Sequence, residues 1–395
     1  MVVIRPMRDE NDLEQVSRLT AVAFGGERAD ELYELLKKAY LGCPYLRWDL
    51  CIVAELNGRI VSKAQIIEYE MSVGTAQVRM GGIMGVATDP EHRGKGYASR
   101  VLRRCVEVMA ENGFDLSILF GIEGFYERFG YAPVMPDYEL ILQAGSIDKR
   151  TWKGFREMKG EGDLDEMFRI YHASNRGRTG IILRRKGIWE WLPHKPDLIL
   201  FHGEGKPDGY VAVSFGREAL ELVEVGGEDV RFYEMAIAEL GELARSSGLD
   251  EIRGSVPPDH PFSLASIKYG AEVRVRYRKS GGCMGRIIDQ RRLLEKIAPE
   301  LERRLIASGC GGMGVALRIE TELGRTELEL VSDSPGKVEV NLSLPQKALM
   351  QMVFGYKPVE VILAENGIPA GRREVEALNA LFPWGYPFIW KMDRF

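Results

Sequence analysis

Gly94 and Gly96, two glycines one residue apart and followed at once by a helix, are the part of this chain best placed to do chemistry. They lie in Asp89-Pro-Glu-His-Arg-Gly-Lys-Gly-Tyr-Ala98, between the apolar run Gly82-Ile-Met-Gly-Val-Ala-Thr88 and a segment of helical period from Ser99 to Met109. The run reads as a strand and the loop as its passage into the helix. Loop amides without Cβ cover, joined to the positive end of a helix dipole, form a cradle for an anion such as a pyrophosphate. Glycine pairs also make tight turns that hold nothing, so the elements around the loop must decide its meaning.

A cradle needs a sheet to fix its strand and a core to seat its helix. Val2 to Met7 is β-rich, and Asp9-Glu-Asn-Asp12 can cap a helix with Leu13, Val16, Leu19 and Ala23 on one face, ended by Phe24-Gly-Gly26. A second helical stretch runs from Ala29 to Tyr40. Cys51-Ile-Val-Ala-Glu-Leu56 and Arg59-Ile-Val-Ser-Lys-Ala64 flank Asn57-Gly58, a strong hairpin signal. After the cradle helix come the apolar run Leu116 to Phe120, then Gly124-Phe-Tyr-Glu-Arg-Phe-Gly-Tyr131, read as a short helix leading into another strand.

A weaker second pass of the same pattern follows. Gly162-Asp-Leu-Asp-Glu-Met-Phe-Arg-Ile-Tyr171 echoes Asn11 to Thr20, Asp197 to Phe201 with Gly209 to Val213 echo the hairpin, and Ile267-Lys-Tyr-Gly-Ala271 echoes Glu127 to Tyr131. Where a second cradle would fall the chain reads Val225-Gly-Gly-Glu-Asp-Val230, whose carboxylates would repel a pyrophosphate. The copy is therefore expected to be structural. From about Asp289 the pattern changes to a charged helix (Leu293 to Ile306), alternating strands at Val315–Glu320, Thr326–Leu330 and Val338–Leu342, and helices from Pro345 to Met352 and Arg372 to Leu381. The aromatic end, Phe382 to Phe395, is too apolar to be left in water and is expected to be docked.

Length and composition agree with several ordinary globular units. The 395 residues are 45% hydrophobic and 28% charged, enough for two or three cores. A net charge of -5 and a pI near 5.8 argue against recognition of nucleic-acid phosphates and tolerate a cationic substrate. The five cysteines, Cys43, Cys51, Cys105, Cys283 and Cys310, are scattered and read as reduced thiols; the five histidines form no metal-like cluster in the sequence, so no metal is expected. There is no leader-like N-terminus and no run of about 18 apolar residues, so a cytoplasmic protein with no membrane partner is expected.

Val86-Ala-Thr-Asp-Pro-Glu-His-Arg-Gly-Lys-Gly-Tyr-Ala98 resembles the acetyl-CoA-binding signature of the GNAT superfamily of N-acetyltransferases, with Glu91 where the family has Gln or Arg. The loop amides that do most of the binding are unaffected by that departure. The order of elements suits the same family. The cradle domain, the degenerate copy and a last module similar to sterol carrier proteins together resemble the enhanced intracellular survival (Eis) family. The resemblance implies an α/β (α+β) chain of tandem GNAT folds, each a mixed, mostly antiparallel sheet with flanking helices, and then a sterol carrier protein-like domain. The expected boundaries are 1–150 (catalytic), 151–288 (degenerate) and 289–395, the last with its tail docked in the active site.

The resemblance implies an acetyl-CoA-dependent N-acetyltransferase acting on amines of aminoglycosides or similar polyamine-like molecules, assembled as a homo-oligomer, a hexamer in that family. A protein-lysine or polyamine acetyltransferase is the alternative, and a non-catalytic binder of coenzyme A or an apolar ligand a second. Transfer from a thioester to an amine needs a cofactor clamp, an oxyanion donor, an acid near the leaving thiolate and a base near the nitrogen. Val86, Ala87 and Thr88 can pair with the pantetheine amides; Arg93, Gly94, Lys95, Gly96, Tyr97, Ala98 and Ser99 would hold the pyrophosphate, and Glu123 is a further cofactor candidate. By resemblance Tyr126 is the general acid, the terminal carboxylate of Phe395 the base and Phe24 a substrate-pocket residue; Glu27 and Asp30 are candidate cation contacts, and Asp393 is a further substrate-binding candidate. Each also has a plainer reading: Tyr126 as a packed aromatic, Phe395 as a frayed end, Phe24 as core and Asp393 as a surface charge.

Overall fold

Three sheets, two of seven strands and one of three, organise the computed structural model, which describes residues 1–395 except 44, 150–153, 186, 193, 204, 311–312 and 332–335. The elements before the first exchange between sheets are β1 (Val2–Pro6), α1 (Glu10–Phe24), α2 (Ala29–Gly42), β2 (Cys51–Leu56), β3 (Arg59–Val73), β4 (Ala76–Thr88), α3 (Tyr97–Glu111), β5 (Leu116–Gly121) and β6 (Ala132–Pro133). Local chemistry accounts for their ends. The Asp9 carboxylate accepts from the Asp12 amide at the start of α1, and Asn57 and Gly58 take φ of 52° and 82°, as a tight hairpin requires. Cys51, Val53 and Ile60 pack with Leu13, Val16 and Leu19 of α1 and Tyr40 of α2. Ile52, Ala54 and Val61 face Val101, Leu102 and Cys105 of α3.

The second unit holds β7 (Asp137–Gln143), β8 (Phe155–Glu157), α4 (Glu161–Ser174), β9 (Leu198–His202), β10 (Gly209–Phe215), β11 (Ala219–Gly227), α5 (Val230–Ser246), β12 (Glu251–Gly254), α6 (Pro261–Ser266), β13 (Glu272–Arg276) and β14 (Gly282–Ile287). Its order of elements repeats that of the first unit, down to a short 3-10 turn capped by a left-handed glycine: Glu127–Phe129 with Gly130, then Ile267–Tyr269 with Gly270. The sheets, however, do not follow the expected boundaries. Their orders are β1-β2-β3-β4-β5-β14-β6 and β13-β7-β12-β11-β10-β9-β8, so β7 lies in the second sheet and β14 in the first. Each unit thus contributes one strand to the other's sheet. The boundary expected at 150 falls on residues outside those described.

The last unit comprises α7 (Gln290–Leu305), β15 (Met313–Thr321), β16 (Gly324–Leu330), β17 (Gly336–Ser343), α8 (Gln346–Phe354), α9 (Val359–Glu365) and α10 (Arg372–Leu381). Its sheet has the order β16-β15-β17. The Glu300 carboxylate on α7 accepts from the Thr75 hydroxyl in the β3–β4 turn at 2.6 Å, joining this unit to the first sheet. The aromatic tail is docked as its composition demands: Phe388, Ile389, Trp390 and Met392 are buried, and Trp390 Nε1 donates to Asn175 Oδ1 at 3.0 Å. Cys43, Cys51, Cys105 and Cys283 are free and buried; the Cys310 side chain is outside the described residues. No helix among the described residues is long and apolar enough to cross a membrane.

Candidate active site

Within the first sheet β4 and β5 pair in parallel from Met80 opposite Leu116 to Ile83 opposite Leu119, and there the ladder stops although both strands continue. The cause is on β4. Against β3, Gln65 lies opposite Met84 but Lys63 opposite Ala87, so β4 carries one extra residue, and Gly85 takes φ of 56°. Such a bulge bends its strand away from the neighbour. The gap leaves the last residues of β4 with unpaired edge groups that an extended ligand can use.

At the end of β4 the chain turns through Asp89, whose carboxylate accepts from the Glu91 amide, and reaches Gly94 and Gly96 at φ of 75° and 79°. Both glycines point the backbone where a side chain would strain it. Gly96 is the N-cap of α3 and no side chain caps that helix. The amides of residues 94–99 accordingly find no acceptor among the described residues, and those that open α3 lie at the positive end of the helix dipole. The second copy differs at this point. The Asp229 carboxylate caps α5 by accepting from the amides of Arg231 and Phe232, so the donors that an anion would need are already satisfied.

A cleft of about 470 Å³ joins the strand end to the cradle. It is lined by Val86, Ala87, Thr88, Arg93, Gly94, Gly96, Tyr97, Ala98 and Ser99, with Phe24 at one side and Tyr126 at the other. Eleven residues singled out in the sequence thus meet at one place. The Tyr126 ring lies over the end of β5, where a Cβ at Gly121 would stand 2.6 Å from its Cδ2, and it makes an edge contact with Phe125 at 4.9 Å. Burial pushes its phenol above the ordinary tyrosine range.

The tail ends beside the splayed strands, although Phe395 is not among the residues that line the cleft. A Cβ at Gly82 would stand 2.5 Å from Cζ of Phe395, whose ring also lies 5.7 Å from Tyr69 and from Phe120, the latter just beyond the last β4–β5 pair. Other expectations need correction. Asp393 is buried rather than offered to a substrate: its carboxylate accepts from Arg184 Nε at 2.7 Å, Arg184 Nη2 at 2.9 Å and the Tyr171 hydroxyl at 2.9 Å. Glu27 is exposed on a 3-10 turn and does not line the cleft, and Asp30 pairs with Arg18 at 3.2 Å. Neither Glu123 nor the Lys95 side chain lines the cleft; both are exposed. His92 does meet Asp89 and Glu91, with ligand atoms within 4.8 Å of one another, although Asp89 is already paired with Arg59.

The structure also adds residues. Ile122, Phe125 and Arg128 line the cleft, the Arg128 guanidinium lying 4.5 Å from the Phe125 ring centre. Lys63 is buried behind the bulge, where a Cβ at Gly85 would stand 2.7 Å from its Nζ, and it pairs with no carboxylate among the described residues. Burial lowers its pKa. An isolated glycine inside a strand pattern was the available signal for this bulge.

Comparison with known proteins agrees with this geometry. Residues 3–134 match the model of the acetyltransferase (GNAT) domain, so the chain carries a GNAT domain, and the cradle and the opened strand pair both lie within the matched residues. A curated relative, an uncharacterised N-acetyltransferase of Streptomyces coelicolor, is 31% identical over 187 residues; the match covers 43% of this chain and 42% of that protein, less than half of either. The fold extends over the whole chain. A GCN5-related N-acetyltransferase from Anabaena variabilis superimposes with a TM-score of 0.77 at 17% identity over all of both chains. One from Kribbella flavida gives 0.73 at 19% identity, covering all of this chain and 98% of that one. Eis1 from Mycobacterium abscessus gives 0.65 at 18% identity over all of both chains.

Proposed function

We propose that the chain transfers the acetyl group of acetyl-CoA to an amine. The observation that carries this reading is the meeting, in one cleft, of a bulged and splayed strand edge, uncapped amides at the start of α3 and a protonated buried tyrosine. Val86 to Thr88 would pair with the pantetheine arm, the amides of residues 94–99 would hold the pyrophosphate, and a β4 amide beside the bulge would polarise the thioester carbonyl. Tyr126 would give its proton to the departing thiolate.

The terminal carboxylate of Phe395 is the proposed proton acceptor. With a pKa of roughly 3.5 it lies ~7 units below an alkylammonium, so full deprotonation of the resting amine would cost about 9 kcal/mol. It therefore holds the cation and its water, and accepts the proton as attack makes the nitrogen acidic. Resemblance to the Eis family supports aminoglycosides or other polyamine-like acceptors and a hexameric assembly, with a sterol carrier protein-like last module and a central copy that binds no coenzyme A. The burial of Asp393 against Arg184 favours a second acceptor class, amines of lower charge such as a lysine side chain, because it withdraws one cation contact.

Thiol release from acetyl-CoA, followed continuously against tobramycin, spermidine and a lysine peptide, tests both levels. Turnover with one class names the acceptor. Binding of acetyl-CoA with no release from any amine overturns the transferase reading and leaves a binding protein.

A further inference from the structure

The second sheet also ends its parallel pairing before its longer strand does. Its parallel pair, β11 and β12, runs from Ala219 opposite Glu251 to Leu222 opposite Gly254, where β12 ends, and β11 continues to Gly227 paired with β10. Against β10, Val213 lies opposite Leu222 but Ala212 opposite Glu224, so Val223 is an extra residue just past the last parallel pair. In the first sheet the corresponding features are the end of pairing at Ile83 and the bulge at Gly85. A bulge just past the end of the parallel pairing is thus common to both sheets, and in the second it leaves the β11 edge beyond Leu222 open to another segment.

The chain's own tail spans that opening. On the β11 side, Glu224 accepts from Arg184 Nη1 at 2.9 Å, and Arg184 in turn donates to both oxygens of Asp393 at 2.7 and 2.9 Å. On the β12 side, Arg394 Nη2 donates to the hydroxyl of Ser255, the residue after the strand, at 2.9 Å. Tyr171 of α4 closes the ring with a hydroxyl bonded to Asp393 Oδ2 at 2.9 Å and to Ile182 O at 3.0 Å, and its face lies 3.9 Å from the Arg184 guanidinium. The side chains of Arg184, Glu224 and Asp393 are at most 1% exposed. Two residues beyond Asp393 the chain ends with its ring over Gly82, at the opening of the first sheet.

We propose that the opened strand pair of the second sheet is a socket for the C-terminal tail, and that Arg184 is a positioning residue that, through Asp393, sets the terminal carboxylate at the transfer cleft. The catalytic half rests on the reading of that carboxylate as proton acceptor. The physical case is short reach: Asp393 and Arg394 are both tied down, and Phe395 follows them directly. A buried carboxylate that loses its charge leaves an Arg paired on one side only, a large penalty that the tail can relieve by withdrawing.

Carboxypeptidase A trimming, read by mass spectrometry of the intact protein, reports the socket without any acceptor. In the full chain Phe395 is expected to be released slowly. Asp393→Asn and the milder Tyr171→Phe are expected to release it about tenfold faster or more with unchanged circular dichroism, because each removes a tie on the buried carboxylate. Trimming of both at the rate of the unaltered protein overturns the socket; if Asp393→Asn does not fold, Tyr171→Phe decides alone.

Thiol release with tobramycin, spermidine and the lysine peptide separates the second claim. Tyr171→Phe should lower kcat with acetyl-CoA binding unchanged, and deleting Phe395 in that variant should cost no more than deleting it alone, since both act through one group. Additive losses overturn the positioning role. Full turnover after deletion of Phe395 instead removes the carboxylate from the reaction and leaves the socket standing on the trimming result.

Discussion

Gly82→Ala is the perturbation that most directly tests where the tail ends. A Cβ at this position would stand 2.5 and 2.6 Å from Cζ and Cε2 of Phe395, and 2.6 Å from Cγ2 of Ile67. Carbon atoms rest at about 3.5–4.0 Å, so something must retreat by about 1 Å. Ile67 lies within β3 and is buried, whereas Phe395 is the last residue, so the ring and its carboxylate yield first. Overpacking of this kind typically costs about 1–3 kcal/mol of stability. A carboxylate misplaced by about 1 Å costs roughly 100-fold in rate, equivalent to about 2.7 kcal/mol of transition-state stabilisation. Initial rates of thiol release at saturating acetyl-CoA, with calorimetric acetyl-CoA binding and a melting curve beside them, make the assay. The expected result is a kcat lower by about two orders of magnitude with binding unchanged, because Gly82 lies on β4 before the cradle. A folded Gly82→Ala protein with full kcat would refute the placement of the terminal carboxylate in the reaction.

Three further expectations follow from the same geometry. Tyr126→Phe keeps the ring that covers Gly121 and removes only the proton donor, so kcat should fall by about 100-fold or more at unchanged acetyl-CoA affinity; full activity would leave Tyr126 a packed aromatic. At Gly96 a Cβ meets nothing within 4 Å, but φ of 79° strains any other residue by about 1–2 kcal/mol, so Gly96→Ala should weaken acetyl-CoA binding about tenfold by calorimetry, and unchanged affinity would detach the cradle from binding. Glu300 is pushed up by burial but pulled down more strongly by Arg303, Thr75 and Arg304, to about 2. Its folded pKa lies below its unfolded value, so its contribution is whole above about pH 4.3 and is lost as pH falls through about 2. Denaturant titrations between those limits should show the unaltered protein losing stability faster than Glu300→Gln; parallel curves would exclude the assignment.

Much of the fold was legible because its signals are local. The Asp9 cap, the Asn57-Gly58 turn and the glycines of the cradle each depend on residues within three or four positions, where backbone conformation and short hydrogen bonds decide the outcome. The echo between the Gly130 and Gly270 turns was readable for the same reason. The bulge at Gly85 was not read from the apolar run around it, because a strand pattern gives side-chain alternation and a bulge is a mismatch with a partner strand.

The sequence by itself determined that this chain presents uncovered amides at the start of a helix, with a strand before them and an aromatic end that must be buried. Only the tertiary structure decided that β7 and β14 change sheets, that Asp393 meets Arg184 across 209 residues of sequence, and that Phe395 reaches the opening between β4 and β5. A carboxylate two residues from the end of a chain reads as a solvated charge until a buried guanidinium is brought to it. That pairing is settled by which distant surfaces exclude water together, a property of the assembled core and of no segment within it.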